Sequence, residues 1–239
     1  MNDSVAVAGA FLTERPIAHR GLHDVGSGIP ENTLGAASAA MEAGYGIECD
    51  VRLSADGVAM VFHDRELGRL TAETGDFAAI GSSQANSLPV AGSSEHIPSL
   101  ESLLSLIGGK VPLLIELKAD GPTADELPSA VADLVKRYPD QVALMSFSHE
   151  QVRQLQSLRP SFPIGLTAAG SSPGDLREHR RLLDVIDFVS FEVEEIDNSF
   201  CTEVRQRSLP LLCWTVRNAQ TAARARQYCD QITFEGFRP

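Results

Sequence analysis

Short apolar, strand-like runs recur along the chain and alternate with helix-like segments, and this alternation limits the possible folds more than any other feature. The eight runs cover residues 16–19, 46–51, 111–118, 142–147, 164–167, 187–191, 210–216 and 231–235. The seven helix-like segments between them cover 33–43, 100–107, 123–138, 149–158, 173–183, 198–207 and 218–228. Strands that alternate with helices predict parallel βαβ units. Eight such strands in 239 residues predict an α/β fold, a closed (β/α)8 TIM barrel rather than an open sheet.

One segment, residues 52–98, breaks the alternation after the second strand. Asp56-Gly57 between two apolar runs is typical of a β-hairpin, with residues 60–63 as the returning strand. Residues 81–94 are rich in Ser and Gly and indicate an irregular loop. An insertion at this point lies at the C-terminal end of a barrel, where active sites form. We therefore expect a single domain over residues 1–239, whose insertion covers a pocket and forms no second core.

The net charge of −12 disfavours nucleic acids and anionic membranes as partners, because both bind basic surfaces. No apolar run approaches the 18 residues of a membrane span. The N-terminus carries acidic Asp3 and no basic segment, so no secretory signal is expected. The four cysteines form no C-x-x-C pair, and Cys49 and Cys213 lie in apolar runs, which is typical of buried thiols in a reducing compartment. We expect a cytoplasmic protein; the sequence leaves its oligomeric state open, a homodimer included.

Two carboxylates, Glu48 and Asp50, stand two residues apart in the second predicted strand. Side chains alternate along a strand, so both carboxylates lie on one face and Cys49 lies on the other. Parallel carboxylates repel each other unless a proton or a cation lies between them. Hard cations such as Mg²⁺ and Ca²⁺ bind oxygen ligands of this kind. From this stretch alone, a solvated acidic strand face is an equal alternative.

Three further clusters carry polar side chains near predicted strand ends. His19-Arg20 ends the first strand, Glu31 precedes the first helix, and Glu116 shares a strand face with Lys118. Taken singly, each has an ordinary explanation as a structural histidine, a helix cap or an ion pair.

Their joint placement favours a functional site, because most of these positions fall at the C-terminal ends of barrel strands, and the hairpin returns His63 to the same end. Three carboxylates there could hold a hard cation, two basic side chains could stabilise a phosphate, and two histidines could act as general base and general acid. These residues are Glu48, Asp50, Glu116, Arg20, Lys118, His19 and His63. The reaction class predicted from this set is the cleavage of a phosphodiester.

The motifs resemble those of the glycerophosphodiester phosphodiesterase family. Its pattern, HRG, PENT, E-x-D-V, DG, HD and E-x-K, has counterparts at 19–21, 30–33, 48–51, 56–57, 63–64 and 116–118. Similar segments continue through Arg69-Leu70-Thr71 to Trp214-Thr215-Val216, so the ordered series spans residues 17–216. The resemblance implies a TIM-barrel hydrolase that converts glycerophosphodiesters, such as glycerophosphocholine or glycerophosphoethanolamine, to sn-glycerol 3-phosphate and an alcohol.

The resemblance also implies roles for individual residues. One divalent cation, Mg²⁺ or Ca²⁺, would be held by Glu48, Asp50 and Glu116. His19 and His63 would be the acid and base, and Arg20 and Lys118 would bind phosphate. Glu31 would be a polar residue near the cation, and Trp214 an aromatic wall beside the glycerol moiety. The chain departs from the pattern at its end, where residues 232–239 stand in place of the family's Ile-Thr-Asp-x-Pro segment.

Two alternatives remain. A lysophospholipase-D-like enzyme would need an exposed apolar rim for a lipid chain, and Leu88-Pro89-Val90 is too short to supply one. A non-catalytic barrel could bind a phosphodiester without cleaving it. Such silent relatives usually lack a metal ligand or a histidine, whereas this chain retains all five.

Overall fold

The computed structural model describes residues 9–138, 141–158 and 161–239. Residues 1–8, on which the expectation about a secretory signal rests, lie outside this part. The strands are β1 Ile17–Ala18, β2 Gly46–Leu53, β3 Ala59–Val61, β4 Leu113–Leu117, β5 Val142–Ser146, β6 Ile164–Ala168, β7 Phe188–Glu192, β8 Leu211–Val216 and β9 Gln231–Phe234. The helices are α1 Leu34–Glu42, α2 Ser82–Ala85, α3 Leu100–Ile107, α4 Leu127–Val135, α5 His149–Ser157, α6 Pro173–Arg180, α7 Ser199–Gln206 and α8 Ala219–Ala225.

Eight of the strands form a closed parallel barrel. They are hydrogen-bonded in the order β1, β9, β8, β7, β6, β5, β4, β2, and β1 also pairs with β2, which closes the ring. At the closure, Ile17 lies opposite Gly46 on one side and Thr233 on the other. The short β3 runs antiparallel to β2 and stays outside the ring. The predicted TIM barrel and the hairpin after its second strand are confirmed.

Polar caps begin the helices that separate the strands. Ser148, Asn198 and Asn218 accept hydrogen bonds from the first turns of α5, α7 and α8, as their positions in the sequence predict. The helix expected over 123–138 is shorter, because Pro128 suits only a first turn and the helix starts at Leu127. No helix in the described ranges has the length and hydropathy needed to cross a bilayer.

The barrel interior is filled with apolar side chains near the N-terminal ends of its strands. Phe188 lies across Gly165, where an added Cβ would be 2.3 Å from the phenyl ring, so the glycine provides the space for this ring. A compact cluster forms this apolar floor: Leu12, Ile17, Leu114, Ala143, Met145, Phe188 and Leu212. This cluster closes the barrel at the N-terminal ends of its strands. The polar pocket lies at the opposite end, where the strands terminate.

The insertion between β2 and α3 has an apolar cluster of its own, contrary to the expectation that it would form no second core. Phe62 stacks on Phe77 with ring centroids 5.0 Å apart. The cluster contains Met60, Phe62, Leu67, Leu70, Phe77, Ala85, Val90 and Ile97. Alternation along β3 is the cause, since Val61 packs on the barrel side while Met60 and Phe62 face the insertion. This cluster stabilises the insertion, which in turn holds His63 beside the C-terminal end of the barrel.

Candidate active site

Three carboxylates meet at the C-terminal end of two adjacent strands. Glu48 and Asp50 lie on β2, Glu116 lies on β4, and the register places Asp50 directly opposite Glu116. All three side chains are buried, and one carboxylate oxygen from each lies within 4.8 Å of the others. Oxygen donors at this spacing suit a hard divalent cation.

Two basic side chains neutralise part of this acidic cluster. The Nζ of Lys118 lies 2.7 Å from Asp50 Oδ1 and also contacts Glu116, and Arg20 Nε lies 3.2 Å from Asp50 Oδ2. Burial acts to raise the pKa of Asp50, but Lys118 and Arg20 together hold it below its usual range.

The pKa of Glu48 is shifted in the opposite direction, above its usual range. Burial, and then the nearby Asp50 charge, raise the pKa of Glu48 to about 8. Three carboxylates share two basic side chains here, and the raised pKa of Glu48 means that a proton offsets the remaining negative charge near neutral pH; a divalent cation could take the place of that proton. The donor set therefore fits a divalent cation.

The turn after β1 places Arg20 beside this cluster. Arg20 and Gly21 both have left-handed backbones, with φ of 56° and 80°. A Cβ on Gly21 would lie 2.8 Å from the Ala36 backbone, so only glycine lets the turn pack against α1. The backbone N–H of Arg20 donates to Glu48 at 3.0 Å, which ties the turn to the second strand.

Asn32 holds Asp50 in place, a role that the sequence does not reveal. Its Nδ2 donates to Asp50 Oδ2 at 2.8 Å, and the Asp50 backbone N–H donates to Asn32 Oδ1 at 3.2 Å. Thr33, not Asn32, caps α1 by accepting from the Ala36 N–H. Asn32 is thus free to hold the site, because its neighbour Thr33 caps the helix.

His19 is oriented by Glu235, a residue absent from the predicted site. The ring Nδ1–H of His19 donates to Glu235 Oε2 at 2.6 Å, and its Nε2 lies 3.9 Å from Glu48 Oε2. Burial acts to lower the pKa of His19, but the bond to Glu235 and the Glu48 charge outweigh it and raise that pKa. The bond to His19, opposed by partial burial, lowers the pKa of Glu235 to about 2.

His63 is oriented in the same manner from the insertion. Its Nδ1–H donates to Asp64 Oδ1 at 2.6 Å, and Asp64 is in turn held by Arg69. Burial lowers the pKa of His63 even though the Asp50 charge opposes the shift. Arg52 on β2 fixes the backbone here, because its Nε donates to the His63 carbonyl oxygen at 2.8 Å.

Glu31 lies between two arginines and outside the pocket lining. Its Oε1 accepts from Arg20 at 2.6 Å and from Arg69 at 2.8 Å. These ion pairs connect the turn after β1 with the insertion, so Glu31 supports the residues that face the site.

The predicted residues other than Glu31 open onto one pocket with a cavity volume of about 150 Å³. Trp214 forms one side of it and packs edge-on against Phe147, with ring centroids 5.3 Å apart. Fourteen residues line the pocket: His19, Arg20, Glu48, Asp50, His63, Glu116, Lys118, Met145, Phe147, Ser190, Trp214, Thr215, Arg217 and Thr233. A cavity of this size, with convergent polar groups on its wall, suits a small-molecule ligand.

Known proteins resemble this chain over nearly its whole length. The family model described as the glycerophosphoryl diester phosphodiesterase family matches residues 19–231. YhdW of Bacillus subtilis is 27% identical over 219 residues, 87% of this chain and 88% of that protein. The glycerophosphodiester phosphodiesterase of Caldanaerobacter subterraneus subsp. tengcongensis is 34% identical over 160 residues, 63% of this chain and 65% of that enzyme.

The fold has a solved counterpart as well. The Oleispira antarctica phosphodiesterase OLEI02445, solved in complex with the product sn-glycerol-3-phosphate, superposes with a TM-score of 0.82 over 94% of each chain at 22% identity. The expectations of a TIM barrel and of an enzyme, a phosphoric diester hydrolase, are confirmed at the level of the family. The chain belongs to the glycerophosphoryl diester phosphodiesterase family.

Proposed function

We propose that this chain hydrolyses glycerophosphodiesters, such as glycerophosphocholine and glycerophosphoethanolamine, to sn-glycerol 3-phosphate and an alcohol with the help of a divalent cation. One observation carries the proposal: a buried carboxylate cluster, two basic side chains and two carboxylate-oriented histidines share a single pocket. The activity named for the Caldanaerobacter relative and the product bound to the Oleispira enzyme support the same assignment.

One cation, Mg²⁺ or Ca²⁺, would be held by Glu48, Asp50 and Glu116. When bound, it supplies a Lewis acid that polarises a phosphoryl oxygen. Asn32 contributes by fixing the carboxylate of Asp50 through two hydrogen bonds. A carboxylate fixed in this way keeps its oxygen directed into the cluster. Less conformational entropy is then lost when the cation binds.

Arg20 and Lys118 bind the phosphate in this proposal. Both line the pocket and both contact Asp50, so they present positive charge beside the cluster. Burial acts to lower the pKa of Lys118, but Asp50 and Glu116 raise it above its usual range, so the ammonium stays charged. Fixed positive groups stabilise the negative charge that develops on phosphoryl oxygens during the reaction.

His19 and His63 transfer the protons, one as general base and the other as general acid. Each ring uses Nδ1 to bind a carboxylate, which leaves its Nε2 available for exchange with substrate. One ring comes from the turn after β1 and the other from the insertion, so two separate segments of the chain present proton-transfer groups to the same pocket. Proton transfer from positioned histidines contributes about 10²–10⁴-fold to a rate.

The pocket rim argues against a lysophospholipid as the preferred substrate. Among the described residues, the large hydrophobic side chains that are exposed are Val25, Val58, Phe147 and Leu158. Of these, Phe147 alone lines the pocket. One aromatic ring covers too little area to hold an acyl chain, so a deacylated diester is the better substrate.

A cytoplasmic location belongs to the same proposal. Cys49 and Cys213 are buried free thiols, as the sequence predicts, and so are Cys201 and Cys229; free thiols are typical of a reducing compartment. A homodimer stays a prediction.

The proposal is tested with a panel of diesters that share glycerol phosphate and differ in head group. Purified protein is supplied with Mg²⁺ or Ca²⁺, and released sn-glycerol 3-phosphate is measured with a coupled dehydrogenase. We expect turnover of at least one glycerophosphodiester and none of a lysophospholipid. Binding of these diesters without release of product would instead support the non-catalytic barrel.

A further inference from the structure

Two buried hydroxyls at the bottom of the pocket have no protein partner. Ser190 on β7 is 0% exposed and Thr233 on β9 is 1% exposed. Within the described part of the chain, nothing accepts from or donates to the side-chain oxygen of either residue. Both residues nevertheless belong to the lining of the pocket, so a ligand group at its bottom would contact the two side chains whose hydroxyls lack a protein partner.

A buried hydroxyl without a hydrogen bond is costly. Such groups in native proteins nearly always find a protein, water or ligand partner. Two of them on the wall of one pocket therefore point to a ligand group that can both donate and accept hydrogen bonds. A ligand hydroxyl meets that requirement, because it offers one hydrogen and two lone pairs.

The surroundings of these hydroxyls favour a small neutral group over a charged one. Ser190 pairs in register with Leu212, and Thr233 pairs with Ile17, and both of these neighbours belong to the apolar floor. A charged head group placed there would lose its hydration without gaining an opposite charge. The apolar floor thus favours a neutral hydroxyl over the charged choline or ethanolamine end of the substrate at this position.

Trp214 completes the small compartment above the floor. Its indole Nε1–H donates to the backbone carbonyl oxygen of Ser190 at 3.2 Å. This bond fixes the ring over Ser190 and leaves the Ser190 hydroxyl free. The compartment thus combines an aromatic wall with two hydroxyls, which suits the carbon chain and the terminal hydroxyl of a polyol.

We propose that Ser190 and Thr233 together bind the terminal hydroxyl of the glycerol moiety, and so select glycerol diesters over diesters that lack this group. The inference rests on the proposed function. The phosphate lies with Arg20, Lys118 and the acidic cluster in that proposal, and the terminal hydroxyl is the part of glycerol most distant from the phosphate. It can therefore reach the floor while the hydroxyl next to the diester stays near the cluster.

The test compares glycerophosphoethanolamine with its 2-hydroxypropyl analogue, which keeps the hydroxyl next to the diester and lacks only the terminal one. The readout is the ratio of kcat/KM for the two diesters. For Ser190→Ala and Thr233→Val, we expect this ratio to fall about threefold to tenfold each, the size of one neutral hydrogen bond. A second readout, calorimetric titration with sn-glycerol 3-phosphate, should show a Kd raised by a similar factor.

Thr167 provides a matched control. Its hydroxyl is equally buried, has no partner in the described residues, and lies opposite Ser190 in the register, yet Thr167 is not part of the pocket lining. Thr167→Val should leave both readouts unchanged. None of the three substitutions removes a hydrogen bond within the protein, so we expect each variant to keep or slightly exceed the wild-type Tm.

The outcomes separate the inference from the proposed function. A ratio and a Kd that stay at wild-type values in both variants would overturn the inference and leave the proposed function intact. An equal effect of Thr167→Val would also overturn it, because it would indicate a general role in packing. If the wild type hydrolysed neither diester, the proposed function would fail, and the sn-glycerol 3-phosphate titration would still decide the inference.

Discussion

His19 and His63 are each oriented by a carboxylate that accepts from Nδ1, although the two carboxylates come from unrelated parts of the chain. Such a partner fixes both the tautomer and the ring orientation, so Nε2 is directed into the pocket. One partner, Asp64, is next to His63 in sequence and could be anticipated. The other, Glu235, is 216 residues from His19 and meets it only because the first and last strands close the barrel.

If His63 transfers a proton as proposed, its replacement should impair the reaction without affecting the fold. We expect His63→Ala to lower kcat by about 10²–10⁴-fold. The side chain lies at the pocket mouth and is partly exposed, so the far-ultraviolet circular dichroism and the Tm should change little. Steady-state kinetics test this, and wild-type turnover in this variant would mean that His63 has only a structural role.

Glu235 should act through His19. Glu235→Gln keeps the size of the side chain but removes the charge that fixes the His19 ring, and we expect kcat to fall about 10–100-fold, as for other carboxylates that orient functional histidines. Glu194→Gln is a matched control, because Glu194 pairs with Arg224 on the surface and does not line the pocket. Equal kinetics for the two variants would remove Glu235 from the site.

Among the elements, β2 makes the largest contribution to the site. Its alternation brings Glu48 and Asp50 to the interior, and its extension beyond the barrel forms the hairpin with β3. The period of two in the sequence was sufficient to predict this pair and the Glu116–Lys118 pair, because strand geometry alone determines which side chains share a face. The apolar cluster of the insertion was not predictable in the same way, since its contacts join short segments without a regular period.

Asp56 attaches the hairpin to α2. It accepts hydrogen bonds from the Ser54 hydroxyl and from the backbone N–H and hydroxyl of Ser82, and these bonds lower its pKa to about 2 from the usual 3.8. A lowered carboxylate pKa stabilises the folded state above the unfolded value, and this contribution is lost as the pH falls toward 2.

The Asp56→Asn variant tests this linkage. Urea unfolding should show the variant to be less stable than the wild type at pH 6. The difference between the two free energies of unfolding should shrink as the pH is lowered from about 4 to about 2. A difference that does not change with pH would show that the charge of Asp56 has no part in holding the hairpin.

At the scale of the whole molecule, barrel closure determines the site. The alternation of strands and helices predicted the fold, and the position of the motifs at strand ends predicted which side chains would meet. The contacts of Asn32 with Asp50 and of Arg52 with His63 could not be predicted, because they depend on how the loops pack against the folded barrel. Asn32 also has a left-handed backbone, a local conformation that sequence pattern does not specify.

A divalent cation should stabilise the whole barrel, since the site is assembled from two strands and exists only in the folded chain. After removal of metal ions, we expect Mg²⁺ or Ca²⁺ at about 100 times its Kd to raise the Tm by about 5–10 °C. Glu116→Gln removes the charge of one proposed ligand and should show a much smaller rise in Tm. An equal rise in both proteins would indicate that the cation binds elsewhere.

The most direct test of the central claim is the rate of sn-glycerol 3-phosphate release before and after complete removal of divalent cations. The carboxylate cluster predicts that release from glycerophosphoethanolamine falls to the background rate with chelator and returns when Mg²⁺ or Ca²⁺ is restored. Release that continues at the same rate in fully metal-free protein would contradict the role assigned to Glu48, Asp50 and Glu116.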